Sequence, residues 1–208
     1  MITAAQWLKI LCYSGVRFTT ATNWAKIFEA RVQRESFNLR EREIDDFVGQ
    51  TLHETKMLEK LTENLNYSAK RLMEVWPARF PTLEAAAPYA YRPEALANKT
   101  YGGRLGNKAP GDGWKYRGRG IPMVTGLANY QLLQTLTGLP LLDKPELLEL
   151  PDGAMRCALL WWEKKIPDSA IDSVERVTRI VQGAQLGIED RKVLTEKVSR
   201  ALADSATM

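Results

Sequence analysis

Glu54 and Glu63 are the two residues of this chain whose type and spacing could hydrolyse a glycosidic bond. In inverting hydrolysis, one carboxyl group protonates the leaving oxygen, and a second one, roughly 6.5–9.5 Å away, activates a water. On one continuous helix, a separation of nine residues would turn the chain by roughly 900° and put the two side chains on opposite faces. The two could share a cleft only if the helix ended soon after Glu54, and the irregular sequence after Lys60 permits the chain to fold back.

The spacing of this pair does not by itself indicate catalysis. The chain has 25 acidic residues, and two glutamates at this spacing usually lie on a solvated surface. His53, the single histidine, neighbours Glu54 and is more often a core or supporting group than a catalytic base. With one histidine and two cysteines, Cys12 and Cys157, the sequence predicts no metal site, no disulfide framework and no cofactor.

The segment from Tyr101 to Tyr130 is rich in glycine and predicts a long, folded loop. It holds eight of the chain's 14 glycines, together with Pro-Gly and Asp-Gly pairs that form turns. Tryptophan, tyrosine and arginine side chains are interleaved with these glycines, which favours a binding surface over a floppy linker. We expect a polar, planar-faced ligand to lie against this loop, and a short hairpin could form inside it.

Apolar residues recur at helical spacing through most of the remaining sequence. Thr3 and Gln6 have the spacing of a capping box, Ser68 can cap a short helix, and one helix runs from about Glu41 to Glu54. No repeat, low-complexity tract or long alternating pattern is present, so the chain is predicted to be mostly α-helical. Further helices are predicted around Trp24, Leu83, Pro93, Leu127, Asp152, Val174 and Ile188.

The overall composition limits the classes of protein and partner. A length of 208 residues, with 45% hydrophobic and 26% charged residues, suits one domain or one domain in two lobes. The net charge of +4 and the pI near 9.0 indicate an acidic partner: nucleic acid, an anionic cell wall or a membrane face. No apolar run approaches the roughly 18 residues of a membrane span, and no basic leader precedes an apolar core. We therefore expect accumulation in the cytoplasm without a signal peptide or stable membrane insertion.

The glycine-rich segment closely resembles the signature of glycoside hydrolase family 19, in which a GDGW-Y-x-GRG run leads into Thr-Gly and Asn-Tyr. It is most similar to the peptidoglycan-cleaving branch of bacteriophage endolysins and prophages, rather than to plant chitinases. Upstream, QTLHET and LTENLNYS resemble that branch's Gln-x-Gly-His-Glu-Ser and its Glu-Asn-hydrophobic-Asn-Tyr-Ser. Downstream, VTRIVQG and GIEDR resemble its Val-Thr-x-x-Ile-Asn-Gly-Gly and its Gly-x-x-Asp-Arg. The motifs follow the family's order and cover roughly residues 41–191.

This resemblance implies a mostly α-helical, lysozyme-like fold of the family 19 chitinase type, in two lobes with a cleft and the long glycine-rich loop. A single catalytic domain would span residues 1–208, with N-terminal helices in 1–40, the family core in 41–191 and the end of the C-terminal helix in 192–208. By the same resemblance, Glu54 is the general acid, Glu63 is the general base, and Thr125 helps to hold the attacking water.

The resemblance also assigns contacts with the substrate. Arg117 and Arg119 have an alternative role, because arginines in glycine-rich loops often bond only to loop carbonyl groups. The expected substrate-binding residues are Asn66, Tyr67, Tyr116, Arg117, Arg119 and Gln182.

The sequence departs from the family pattern at three places. After the acid, Thr55-Lys56-Met57 replaces Ser-Gly-Gly, which makes the exit from the helix less flexible. Met123 replaces the usual glutamine two residues before the threonine and removes an amide that could bond to substrate. Gln182, followed by Gly183-Ala184, replaces the asparagine of Asn-Gly-Gly. Both acids and the threonine are retained, so the sequence still predicts catalysis.

The function implied is that of an endolysin that cuts the β-1,4 bond between N-acetylmuramic acid and N-acetylglucosamine in bacterial peptidoglycan, with inversion. A monomer without bound nucleic acid is expected, and a holin-type pore would let it reach the wall in the periplasm. The alternatives are a family 19 chitinase, a non-catalytic peptidoglycan-binding relative, and a nucleic-acid-binding protein that uses its Arg-Gly-Arg-Gly run. That run is short and lies between predicted helices, which disfavours the last alternative.

Overall fold

Most of the described residues form helices, which confirms the predicted mostly α-helical class. The computed structural model describes residues 2–32, 41–171, 173–183 and 186–206. Within these ranges, β-structure is limited to two isolated bridges, Thr62 with Arg119 and Arg119 with Val124. The α-helices are α1 (Ala4–Tyr13), α2 (Phe18–Arg31), α3 (Glu41–Glu54), α4 (Ala69–Val75), α5 (Leu83–Ala86), α6 (Pro93–Tyr101), α7 (Asp112–Lys115), α8 (Leu127–Thr137), α9 (Pro151–Lys165), α10 (Val174–Gln182) and α11 (Ile188–Ala206).

The capping residues explain where several of these helices begin. The Thr3 hydroxyl accepts from the Gln6 N–H, and the Gln6 side chain accepts from the Thr3 N–H at 2.9 Å, so the predicted capping box is confirmed. Ser68 caps α4 as predicted, with its hydroxyl accepting from the backbone of Arg71 at 3.2 Å. Such caps satisfy backbone donors that have no partner inside the helix.

The first of two compact units comprises Met1–Leu61, Gly120–Pro122 and Leu147–Met208. Its core is built from the apolar faces of α1, α2, α3, α9 and α11. Aromatic rings fill much of this core: Trp7 lies 4.8 Å from Phe28, and Phe47 meets Trp162 edge-on at 5.3 Å between ring centroids. These tryptophans are therefore part of the core rather than exposed platforms.

Helix α3, which carries Glu54 at its end, packs closely against α11. Gly49 faces Thr195 of α11, and a Cβ at position 49 would approach the backbone of Thr195 to 3.0 Å. The absence of a side chain at this position allows the two helices to come together.

The second unit comprises Thr62–Arg119 and Met123–Glu146 and contains α4 to α8. Its small hydrophobic cluster, with Tyr101 and Trp114 packed on it, consists of Leu65, Leu72, Phe80, Ala86, Leu96 and Ala97. The glycine-rich segment is not a single loop, because α7 and the start of α8 lie within it and Tyr101 ends α6. In place of the short hairpin that could form in this segment, Arg119 and Val124 form a single antiparallel bridge, with hydrogen bonds of 3.1 and 2.8 Å.

None of the helices in the described ranges combines the length and the apolar character needed to cross a membrane. The domain boundaries expected at residues 40 and 191 stay predictions. Residues 33–40, at the end of the expected N-terminal segment, lie outside the described ranges.

Candidate active site

Helix α3 ends at Glu54, which is the end predicted from the sequence. The next residues, Lys56, Met57 and Leu58, have left-handed backbone angles, with φ of 48°, 61° and 65°. The hydroxyl of Thr55 supports this turn, since it donates to the Thr51 carbonyl at 2.6 Å and accepts from the Leu58 N–H at 2.8 Å. The chain thus leaves the helix immediately after Glu54 through a turn that L-residues rarely adopt.

One of the departures from the family pattern, at Lys56 and Met57, lies in this left-handed turn. Lys56 and Met57 occupy the positions of the two glycines in Ser-Gly-Gly, and their φ angles are those that glycine adopts without strain. Met57 packs on the core of the first unit, and its N–H donates to the Leu52 carbonyl at 2.7 Å. Lys56 and Met57 therefore adopt angles that suit glycine better, and Met57 adds a hydrophobic contact.

The carboxylate of Glu54 is paired with a buried arginine. Arg191 of α11 donates from Nη2 to Glu54 Oε1 at 2.5 Å and from Nη1 to the Gln50 side chain. Gln50 in turn donates to the hydroxyl of Thr178 in α10 at 2.9 Å. The side chain of Arg191 is 1% exposed and that of Glu54 is 19% exposed, so this network is fixed inside the first unit while the carboxylate remains within reach of solvent.

Glu54 also lines a small pocket of the first unit with mostly apolar walls. Phe47, Ile121, Trp161 and Val181 contribute to these walls.

His53 does not take part in this network. Its Nδ1 lies 2.5 Å from Oδ2 of Asp190 in α11. This contact supports the interpretation of His53 as a supporting group, because it ties the end of α3 to the start of α11. Gly187 lies against the imidazole, where a Cβ would approach the ring carbon Cε1 to 2.5 Å.

Glu63, in the second unit, is held by its backbone and by both carboxylate oxygens. Its N–H donates to the Gly118 carbonyl at 3.0 Å, and the Gly118 N–H donates back to Glu63 Oε1 at 2.5 Å. The hydroxyl of Tyr101 donates to Oε2 at 2.7 Å. A Cβ at position 118 would lie 3.2 Å from the carboxyl carbon of Glu63, so a side chain there would press on the carboxylate.

Tyr101 is a strictly neutral donor to this carboxylate. Burial, the negative charge of Glu63 and the hydrogen bond to it raise the pKa of Tyr101 well above its ordinary value. The phenol consequently keeps its proton over the whole range in which proteins normally work. Glu63 is therefore held by uncharged groups, whereas Glu54 is held by a cation.

Thr125 lies in the second unit, shortly after the bridge between Arg119 and Val124. Its hydroxyl donates to the Met123 carbonyl at 3.0 Å. Met123 has a φ of 46°, so this departure from the family pattern also lies at a left-handed position. The role of Thr125 in holding a water stays a prediction.

The remaining expected substrate contacts lie in different environments. Asn66 is exposed and Tyr67 is half-buried, with its ring edge-on to Trp76. Tyr116 is buried and donates to the Leu142 carbonyl at 3.3 Å. In the first unit, Gln182 donates to the Leu186 carbonyl at 2.7 Å, and Ala184 lies outside the described ranges. Contact between these residues and a substrate stays a prediction.

Arg117 and Arg119 both contact other parts of the glycine-rich segment, and their contact with a substrate stays a prediction. The guanidinium of Arg117 lies 3.8 Å from the ring centroid of Trp114. Arg119 is 4% exposed and donates to the Lys115 carbonyl at 2.7 Å and to the Tyr130 hydroxyl at 3.1 Å. Both side chains thus stabilise the glycine-rich segment.

Sequence reasoning did not assign roles to Arg191, Gln50 or Tyr101. Gln50 precedes Glu54 by four residues on α3, and this spacing puts both on one helix face. Arg191 and Tyr101 are 137 and 38 residues away from the glutamates that they contact, so no local pattern indicates them. In the described part of the chain, no group of three or more His, Cys, Asp or Glu residues could hold a metal ion.

Comparison with known proteins gives one relative in sequence and several in structure. No protein-family model matches the chain. A Haemophilus influenzae protein described as a glycosyl hydrolase family 19 domain-containing protein is 36% identical over 147 residues, which are 70% of this chain and 72% of that protein.

Similar solved structures include two chitinases. Chitinase C from Streptomyces griseus HUT6037 superposes with a TM-score of 0.58 and 16% identity, covering 97% of this chain and 92% of that one. A bacterial family 19 chitinase superposes with a TM-score of 0.56 and 16% identity, covering 97% of this chain and 94% of that one. The chain therefore has the fold of these enzymes.

Proposed function

Because the chain belongs to glycosyl hydrolase family 19, we propose that it cleaves peptidoglycan with Glu54 as general acid and Glu63 as general base. The bond cleaved is the β-1,4 linkage between N-acetylmuramic acid and N-acetylglucosamine, and the anomeric carbon is inverted. The observation that carries this proposal is the difference between the partners of the two glutamates. Glu54 has a buried cation and apolar walls, and Glu63 has two neutral donors.

Glu63 is suited to accept a proton. A carboxylate has about four lone-pair sites, and Gly118 and Tyr101 donate one hydrogen bond each. These neutral donors orient the group and leave it able to take a proton from a water molecule. Thr125 is assigned the second contact with that water, since a hydroxyl can donate and accept at once.

Glu54 is suited to release a proton. Arg191 stabilises the negative charge that forms on Glu54 when the proton leaves. In the reaction, the Glu54 proton passes to the glycosidic oxygen as the bond to the anomeric carbon breaks. Water attacks that carbon from the opposite face and gives a proton to Glu63. Exchange with solvent then restores both groups.

Peptidoglycan is favoured as the substrate by charge and by the sequence motifs. The net charge of +4 and the pI near 9.0 favour adsorption to an anionic wall polymer. We assign the protein to host cell lysis by a bacteriophage or prophage, acting as a monomer after a holin-type pore has opened the membrane. Nucleic acid is not expected to bind, because Arg119 is buried and Arg117 stacks on Trp114.

Chitin is the second candidate substrate, because solved structures with the same fold include chitinases. Digestion of purified peptidoglycan and of chitin side by side separates the two candidates. We expect soluble fragments from peptidoglycan that end in reducing N-acetylmuramic acid, seen by mass spectrometry, with the α-anomer formed first in the NMR spectrum. Faster release of fragments from chitin would mean that chitin, and not peptidoglycan, is the substrate. A first-formed β-anomer would contradict inversion. Firm wall binding without new reducing ends would indicate a non-catalytic relative.

A further inference from the structure

The hydrogen bond between Tyr101 and Glu63 joins the end of α6 to the proposed general base. We propose that Tyr101 is a positioning residue for that base: its hydroxyl holds Oε2 of Glu63 in one orientation before water attacks. This inference rests on the proposed function, because it assigns a role within the same site.

Tyr101 is itself held in place through its ring and through its backbone carbonyl. It packs on the hydrophobic cluster of the second unit, to which Leu96 and Ala97 of α6 also belong. The Tyr101 carbonyl accepts from the side chain of Asn107 at 3.0 Å, and the Asn107 side-chain oxygen accepts from the Leu127 N–H at 2.8 Å. Asn107 is 1% exposed, so the end of α6 is tied to the start of α8 by a buried amide. A hydroxyl anchored in this way can impose an orientation on its acceptor.

Two donors on separate segments determine the position of the carboxylate. Gly118 holds Oε1 through its backbone, and Tyr101 holds Oε2 through its side chain. With Gly118 alone, the carboxyl group could rotate about the bond to its Cγ and break the contact with the water at little cost. The second donor restricts this rotation, which is the kind of preorganisation that proton transfer requires.

A neutral donor fits a general base better than a cation does. A salt bridge would hold the negative charge strongly and oppose protonation during the reaction. Burial and the charge of Glu63 raise the pKa of Tyr101, so the phenol remains a donor at working pH. Tyr67 and Arg79 are the other titratable groups whose charges act on Tyr101, and they act in opposite directions.

The variant Tyr101→Phe tests the inference because it keeps the ring and removes only the hydroxyl. On soluble glycan fragments of peptidoglycan we expect kcat to fall roughly 10-fold to 100-fold, the loss typical of one hydrogen bond to a charged group, with KM nearly unchanged. The acid limb of the pH–activity profile should move to higher pH, because the carboxylate loses a donor that favours its ionised form. A residue that only supports the fold would not move this limb.

Tyr89→Phe is the matched control. Tyr89 packs on the same hydrophobic cluster, and the substitution removes the same atom. Its kcat and pH profile should equal those of the wild type, and thermal unfolding should show that both variants fold. The ultraviolet titration of the phenol is a measurement that does not depend on activity. In Glu63→Gln, Tyr101 should ionise at lower pH than in the wild type. Comparison with Tyr101→Phe identifies the signal of Tyr101.

The outcomes separate this inference from the proposed function. If the wild type is active and Glu63→Gln is not, but Tyr101→Phe keeps the wild-type kcat and pH profile, the positioning role is wrong and the proposed function stands. An unchanged phenol titration in Glu63→Gln would also overturn the role. A wild type that cleaves neither peptidoglycan nor chitin would overturn the proposed function and this inference with it.

Discussion

The carboxylate of Glu54, the last residue of α3, accepts a hydrogen bond at 2.5 Å from the buried guanidinium of Arg191 in α11. Gln50 and Thr178 complete this network inside the first unit. The second glutamate, Glu63, accepts instead from two uncharged donors, the Gly118 N–H and the Tyr101 hydroxyl. This asymmetry is consistent with the different tasks proposed for the two carboxyl groups.

Arg191 should contribute strongly to stability. Arg191→Met would leave the Glu54 charge and the buried Gln50 amide without their partner, and we expect the free energy of unfolding to fall by about 3 kcal/mol. Urea denaturation measures this change. Arg179→Met, an exposed position on α10, is the control and should change the free energy by less than about 0.5 kcal/mol. A loss below about 1 kcal/mol for Arg191→Met would mean that the network contributes little.

The left-handed turn after Glu54 should be strained at Lys56. This residue is exposed and has a φ of 48°, so Lys56→Gly should remove strain and raise the free energy of unfolding by about 1 kcal/mol. Lys60→Gly, which changes an exposed lysine outside the three left-handed residues, should lower stability instead. Differential scanning calorimetry distinguishes the two directions. A lower melting temperature for Lys56→Gly would contradict the strain.

Gly118 should be needed for the position of Glu63 rather than for folding. The added methyl of Gly118→Ala would lie 3.2 Å from the carboxyl carbon and displace it, so kcat should fall roughly 10-fold. Gly138→Ala, in the same unit, is the control, because nothing lies within 4 Å of its Cβ. Its left-handed φ of 69° should lower stability but leave kcat unchanged. Equal kcat values for Gly118→Ala and the wild type would show that the carboxylate tolerates displacement.

Tyr101 should make stability depend on pH at the alkaline end. Its pKa is raised in the folded protein, so the unfolded chain loses the phenol proton first, and the stabilisation present below about pH 10 is lost as pH rises. The free energy of unfolding should fall by about 1.4 kcal/mol per pH unit from this group. Urea denaturation from neutral to alkaline pH should show a steeper decline for the wild type than for Tyr101→Phe. Parallel curves would contradict the raised pKa.

Much of the local structure could be predicted from the sequence, because short-range rules determine it. The capping box at Thr3, the cap at Ser68 and the end of α3 at Glu54 all follow from neighbouring residues. The ends of α8 and α10 could also be predicted, because Gly138 and Gly183 adopt the left-handed conformation that commonly ends a helix.

The partners of the two glutamates could not be predicted in this way. Tyr101 was interpreted as the start of a glycine-rich loop, whereas it ends α6 and bonds to a residue 38 positions earlier. Arg191 reaches Glu54 from a helix 137 positions later. Hydrophobic periodicity carries no information about such long-range hydrogen bonds. The left-handed turn at Lys56 was also hidden, because only glycine would have indicated it.

The clearing of purified peptidoglycan is the most direct test of the two-carboxylate mechanism. The turbidity of wall suspensions would be followed with the wild type, Glu54→Gln and Glu63→Gln, and with the exposed controls Glu163→Gln and Glu94→Gln. We predict that the wild type and both controls clear the suspension, and that the first two variants fold and bind walls without clearing them. Clearing at the wild-type rate by Glu54→Gln or Glu63→Gln would contradict the assigned roles.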